Sequence, residues 1–181
     1  MALVPGTHQI GPGGGTLRVH TYREGLAQKV GHDLIIEVGD WRATLEVSEQ
    51  GEPVAIALEA DPSSLKVLEG RRGVKPLTDK DRAEIRSNID QKILLRRPIS
   101  FTSSSAELSQ GNVTVSGEMT IAGATRPASF ALMLSSDDRL HGTLSVAQSE
   151  WGIKPYRALM GALKVQDTVE IVLDVKLPAS E

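Results

Sequence analysis

The 181-residue chain contains no cysteine. That absence removes any disulfide framework, any thiolate nucleophile and any cysteine-ligated zinc site. Aromatic residues are scarce at 3%, two each of Trp, Tyr and Phe. Aliphatic side chains must therefore fill the interior, and an aliphatic interior can either pack tightly or leave a cavity. No stretch approaches the ~20 apolar residues of a membrane-spanning helix. Residues 1–8 lack the basic start and apolar run of a secretory signal, so a soluble cytoplasmic protein is expected unless a leader has been removed. Basic residues do not predominate, and a net charge of −3 gives no electrostatic footprint for nucleic acid. There is no Gly-x-Ser-x-Gly elbow, no His-Glu-x-x-His and no Gly-rich phosphate cradle before a helix. His8, His20 and His141 lack metal-ligand spacing.

Against these absences stands a clear alternation. Between Asn112 and Ile121, Val113, Val115, Gly117, Met119 and Ile121 share one parity, while Asn112, Thr114, Ser116, Glu118 and Thr120 share the other. Successive strand side chains point to opposite faces, so one face meets an apolar interior and the other meets water. Val169, Ile171, Leu173, Val175 and Leu177 repeat the pattern. Two long one-sided strands imply a curved sheet, and such sheets close into barrels able to hold a ligand. After a loop-like start through residues 11–15, Leu17, Val19 and Thr21 alternate with Arg18, His20 and Tyr22. Val30, His32, Leu34, Ile36 and Val38 set one face of the next strand, and Gly39-Asp40 turns into Trp41, Ala43, Leu45 and Val47. Gly51-Glu52-Pro53 turns into Val54, Ile56 and Leu58. These four strands read as an antiparallel meander.

The middle of the chain changes period. Residues 65–68 allow a short strand, and residues 70–76 form a basic loop. Thr78 suits a helix N-cap, with Asp79 and Asp81 favourable in the first turn. Ile85, Ile89 and Ile93 recur every fourth residue, the narrow apolar stripe of a helix laid on a surface. Arg96-Arg97-Pro98 ends it. One helix is thus inserted around residues 78–94, as a plug or a lid over a barrel end. Strands resume at residues 99–108, 112–121, 128–135, 140–148 and 166–177. The expected fold class is all-β, an extended antiparallel β-barrel of nine or ten strands with that one helix. It forms a single domain over residues 1–181.

Motifs in the second half carry a resemblance. The strand Ile99-Ser100-Phe101-Thr102-Ser103 is followed by Gly117-Glu118-Met119-Thr120-Ile121-Ala122-Gly123-Ala124-Thr125-Arg126-Pro127. Ser149-Glu150-Trp151-Gly152-Ile153 comes next, then Gly161 with Val165, Asp167, Val169 and Ile171. In these features and their order, residues 98–177 resemble the YceI-like family; Gln148 stands where many relatives carry an arginine. The resemblance implies an extended lipocalin-like barrel that binds a long polyisoprenoid chain, such as that of a quinone or polyprenyl lipid. It implies no catalytic activity and no required cofactor; a polyisoprenoid or isoprenoid quinone is the ligand it allows. Many relatives are exported. The physical scale agrees: a strand of about twelve residues spans about 40 Å. Burying about ten methylene-sized groups contributes roughly 8 kcal/mol before the ligand's ordering entropy is subtracted.

Parity also nominates ligand-facing residues. The first half offers His32, Leu34 and Ile36, then Trp41 and Leu45, then Ile56 and Leu58. The second half offers Val113, Val115 and Met119, then Phe130 and Leu132. Leu144, Val146 and Gln148 follow, with Val169, Ile171 and Leu173 on the last strand. Tyr156 and Met160 lie in a Pro- and Gly-containing segment over a barrel mouth, where they either gate it or cap the core. Any of the aliphatic residues can equally pack on its neighbours. A buried imidazole needs a partner. His32 therefore either meets the polar head of a ligand or bonds backbone or water at a strand end, with Asp33 outward. Gln148 has the same two readings. The expected partner is an apolar lipid. The Arg71-Arg72-Lys75 and Arg96-Arg97 clusters read as transient membrane contacts or as ordinary solvated loops. A homodimer is left open. Two other functions stand beside lipid binding: a stress-related interaction module with a packed barrel, and an acid-base enzyme using His32.

Overall fold

Alternation becomes a hydrogen-bonded ladder in the computed structural model, which describes residues 3–177. In chain order the strands begin with β1 (Gly6–Ile10), β2 (Gly15–Thr21), β3 (Arg23–Glu24), β4 (Asp33–Val38), β5 (Trp41–Val47), β6 (Pro53–Ala60) and β7 (Leu65–Arg71). After the helix come β8 (Ile99–Ser109), β9 (Asn112–Ile121), β10 (Ala124–Leu134), β11 (Arg139–Ala147), β12 (Arg157–Ala158), β13 (Leu163–Val165) and β14 (Thr168–Lys176). The helix α1 (Asp79–Asn88) runs directly into a π-helical turn, Ile89–Ile93. Eleven strands form one antiparallel sheet in the order β1-β5-β6-β8-β9-β10-β11-β14-β2-β4-β7; β12, β13 and β3 form a small second one. The chain is all-β with one inserted helix, as expected.

The large sheet curls because its N-terminal strands bend. β5 pairs with β1 and β6, whereas β4 pairs with β2 and β7. β4–β5 is therefore one strand folded at Gly39-Asp40, lying between β1–β2 and β6–β7, which fold at the same level. Gly39 N donates to Ser64 O at 3.1 Å, and Asp61 N donates to Asp40 O at 3.0 Å. A Cβ on Gly39 would lie 2.9 Å from Ser64 O, so only glycine lets the two corners touch. The wall runs from β14 through β2 to β4, along the chain into β5, and through β6, β8, β9, β10 and β11 back to β14. Two expectations are corrected here. Gly39-Asp40 is a corner in one strand rather than a hairpin turn, and the start is not all loop, because β1 precedes the bend at residues 11–14. Corner-turning strands let a sheet close with its backbone groups still paired.

The inward residues form one core, in which Ile36, Val113, Val115 and Val175 are almost inaccessible. Phe101 and Phe130 meet at 5.1 Å between ring centroids, tilted by 58°. A bulge between Ser103 and Ser105 of β8 resets the parity, so Phe101 faces inward before it and Leu108 after it. The free edge of β7 is covered by α1, whose Arg82 donates to Val67 O and Leu68 O at 2.6 Å each. That protects an edge that would otherwise offer bare carbonyls to another strand. Thr78 and Asp81 form a capping box at the start of α1. Side chains four apart drift by about 40° per step on an α-helix. The wider π-helical turn offsets that drift and keeps Ile85, Ile89 and Ile93 packed on the core.

Gly117 lies beside the β8 bulge, where a Cβ would come within 2.1 Å of Thr102 O. The contact is with backbone, so it cannot relax by a rotamer change. Gly117→Ala is expected to lower stability by about 1–3 kcal/mol. Urea denaturation checks this, and an unchanged midpoint would show that β8 and β9 are less tightly apposed than described.

Candidate functional site

The curled sheet is filled unevenly. At one end Trp41, Leu45, Phe101, Val113, Val115, Met119 and Leu132 close on one another. At the other end lies a cavity of about 600 Å³, within the usual range for small-molecule sites. Its wall is built by parity from Val19 on β2, Leu34, Ile36 and Val38 on β4, and Val146, Val169 and Ile171 on β11 and β14. The stripe Ile85, Ile89 and Ile93 lies over it from the helical side. Trp151 and Ile153 add to the wall from the segment after β11; the Trp151 indole is fixed by donation from Nε1 to Met119 O at 3.0 Å.

Of the residues nominated from sequence, His32, Leu34, Ile36, Val146, Gln148, Tyr156, Val169 and Ile171 line this cavity. Trp41, Leu45, Val113, Val115, Met119 and Leu132 do not; they are buried in the packed end. Ile56, Leu58, Phe130, Leu144 and Leu173 pack against that core and are also outside the cavity wall. The reason is physical: parity decides which face a side chain takes, but not whether opposing side chains are large enough to meet. Met160 departs further. It is fully exposed and lies outside the wall, because Leu159, Met160 and Gly161 take successive left-handed conformations, with φ of 50°, 56° and 87°. Sequence reasoning missed Val19, Val38, Ile99 and Ile121 as wall residues although their parity was readable. Leu163 and Trp151 sit outside any long strand and gave no periodic signal.

The polar groups of the wall lie on the loops and on α1, which contributes Asp81, Glu84 and Asn88. His32 Nε2 lies 2.6 Å from Lys75 O; a carbonyl only accepts, so that nitrogen carries the proton. Gln148 is buried and donates from Nε2 to Gln166 O at 3.0 Å. Both side chains line the cavity and are also satisfied by backbone. Asp33 is buried, accepts from Arg23 N at 2.9 Å, and lies 3.8 Å and 3.5 Å from the Arg23 and Arg72 guanidinium groups. Arg23 also donates to Gln28 O, Gly31 O and Arg72 O. The cluster thus ties β3, the 28–31 turn and the 71–76 loop to β4. Tyr22 donates to Glu170, and this bond, with burial and the carboxylate's charge, raises its pKa above that of an ordinary tyrosine. At α1, donation from the Thr78 backbone and hydroxyl holds the Asp81 carboxyl below its usual range. Val30, Lys75, Pro76, Thr78, Glu84 and Tyr156 are exposed yet line the cavity, which marks where it meets solvent. Among the described residues, no group of three or more His, Cys, Asp or Glu side chains is placed to hold a metal ion. No helix there is long and apolar enough to cross a membrane.

The profile of the YceI-like domain matches residues 36–177. Among solved structures, BcnA of Burkholderia cenocepacia superposes with a TM-score of 0.58 at 14% identity, covering 91% of this chain and 96% of that one. The YCEI protein of Campylobacter jejuni gives a TM-score of 0.54 at 10% identity, covering 80% of this chain and 85% of that one. At these identities the likeness concerns the fold. No curated protein matches.

Two outcomes follow from the polar cluster and the cap. Asp33→Ala removes the acceptor of Arg23 N and the carboxylate that faces the Arg23 and Arg72 guanidinium groups, and is expected to lower stability by about 1–3 kcal/mol in a urea melt. For Asp81 the folded pKa is depressed. Its contribution to the start of α1 is therefore present above the ordinary carboxylate pKa and lost as pH falls through the depressed value. Hydrogen exchange at residues 79–82 should accelerate in that acidic window in the native chain and at all pH values in Thr78→Ala.

Proposed function

The chain belongs to the YceI-like family, and from that premise we propose that it binds the hydrocarbon chain of a lipid inside the curled sheet, as a carrier, store or sensor. The observation that carries this reading is the cavity of about 600 Å³ with a predominantly aliphatic wall. A methylene takes up the ~30 Å³ share of a water molecule, so the space holds roughly twenty carbons. That is about four isoprene units, and a longer polyisoprenoid or isoprenoid-quinone tail would extend through the opening. Each buried methylene contributes about 0.8 kcal/mol, and ordering a flexible tail takes back part of the total.

The placement of polar groups supports a defined orientation. Arg23, His32, Lys75, Tyr156 and Lys164 lie along the loop side and Asp81, Glu84 and Asn88 on the helical side, while Ile36, Val38, Leu65, Ile99 and Ile121 form an apolar wall. A tail would occupy the apolar part, with its polar head near the loops. His32 Nδ1 is then the atom left to meet a head-group hydroxyl. The reading is of a binding protein that performs no chemistry on its ligand. A barrel packed throughout would leave no such volume, so the interaction-module alternative gains nothing from the interior.

Native mass spectrometry of gently purified protein, followed by solvent extraction, tests this directly. A stoichiometric increment that yields a polyprenyl or quinone species is expected. Failure of both the co-purified and the added isoprenoids to bind would sink the proposal. Leu34→Trp narrows the cavity and is expected to weaken uptake by about tenfold or more, or ~1.4 kcal/mol. An affinity equal to the parent's would place the ligand elsewhere.

A further inference from the structure

Three loops form the rim on the polar side of the cavity, and the backbone binds them together. Lys164 and Val165 of β13 pair with Glu24 and Arg23 of β3, while Arg157 and Ala158 of β12 pair with Lys164 and Leu163. Ala27 N donates to Ala162 O at 2.8 Å, and Val74 N donates to Lys29 O at 3.2 Å. Residues 22–31, 71–76 and 152–165 therefore make one continuous surface. Onto it the chain places Leu26, Val30, Val74, Tyr156, Leu159 and Met160, all exposed, with Leu26 and Met160 wholly so. Leu159 and Met160 are held outward by left-handed backbone, a conformation that costs a non-glycine residue about 1 kcal/mol or more. Large apolar side chains gathered this way on a rim mark an interaction surface.

The charge of the same segments identifies the partner. They hold eight basic residues, Arg23, Lys29, Arg71, Arg72, Lys75, Lys154, Arg157 and Lys164, against one acidic residue, Glu24. The rest of the chain holds twelve basic and twenty-two acidic residues. Asp33 engages Arg23 and Arg72, and Glu69 engages Arg71. Lys29, Lys75, Lys154, Arg157 and Lys164 have no carboxylate within ion-pair distance among the described residues. Across the opening α1 brings Asp79, Asp81 and Glu84, of which Asp81 and Glu84 line the cavity, interleaved with Lys80 and Arg82. Exposed aliphatic tips surrounded by uncompensated cations match an anionic bilayer surface, where the apolar groups enter the acyl boundary and the cations meet lipid phosphates.

We propose that this rim docks the protein on anionic membranes with the cavity opening against the bilayer. The surface stands independently of what the cavity holds. The test is co-sedimentation of delipidated full-length protein with isoprenoid-free vesicles, of phosphatidylcholine alone or with about one-third phosphatidylglycerol. Association with the anionic vesicles is expected to exceed that with neutral ones by about tenfold and to fall as salt is added. Leu26→Asp with Met160→Asp, and separately Lys29→Glu with Arg157→Glu, should each reduce it by about tenfold. All four positions are exposed, so thermal unfolding should be unchanged. Val54→Asp, an exposed apolar site at the opposite end of β6, should have no effect. The cavity variant Leu34→Trp should sediment like the parent, which separates failure of docking from failure of lipid binding. Equal association with both vesicle types, or binding indifferent to the rim variants, would overturn the proposal. So would a concentration-dependent dimer abolished by Leu26→Asp and Met160→Asp, which would assign the face to a second copy of the chain.

Discussion

A curled sheet must dispose of its edges, and in this molecule the solution is a set of corners at one level. Backbone bonds between Gly39 and Ser64 and between Asp61 and Asp40 lock two folded strands side by side. The inner faces of β4 and β5 thereby belong to one wall although they pair with different neighbours. Below the corner the wall encloses a packed core; above it β7 is left without a partner on one side. α1 covers that edge, and Arg82 occupies its carbonyls. The helix therefore has a structural reason to be where it is, and its isoleucine stripe follows from that position. The cavity is the space between a wall that has turned its corner and a helix that cannot fill the gap with three isoleucines.

Much of this was legible because β-strands impose a period of two whatever their neighbours do. Val113, Val115 and Met119 could be assigned to the interior from alternation alone, and Thr78 with Asp81 announced the helix start. The corner was not legible. Gly39-Asp40 has the composition of a hairpin turn, and only pairing across distant sequence distinguishes a reversal from a bend. The β8 bulge was hidden for a related reason, since one extra residue at Ser103 to Ser105 shifts parity without any residue type that demands it.

The site was half legible, and the missing half has a definite cause. Inward parity is shared by residues that touch their opposites and by residues that face empty space. Trp41, Phe101, Met119 and Phe130 lie in or against the packed end, where bulky side chains bridge the interior. Around the cavity, valines, isoleucines and leucines dominate, and they fall short of the opposite wall. Of the six aromatic side chains, Trp41, Phe101 and Phe130 lie in or against the packed end, and only Trp151 and Tyr156 line the cavity. Packing volume is a property of opposed residues from several strands, and a single strand's pattern does not contain it. The family resemblance supplied what periodicity could not, an expectation that the interior is hollow.

The loops lining the opening also form the exposed basic and apolar rim, and this sharing constrains how a ligand can move. Val30 and Tyr156 face both the cavity and solvent, so on the proposed reading a tail passing the opening would slide along the same side chains that would meet a bilayer. Moving about twenty carbons through water would expose nearly the whole apolar area that makes binding favourable. A route in which the tail never leaves an apolar environment avoids that barrier. It requires the opening to face the membrane, with cations at the level of the phosphates and aliphatic tips beneath them. The buried Asp33 with its two arginines holds the rim loops to β4, so the rim is fixed to the cavity wall. On the proposed reading, a rim tied to the wall by these contacts would favour transfer through contact with the bilayer over transfer through a floating lid.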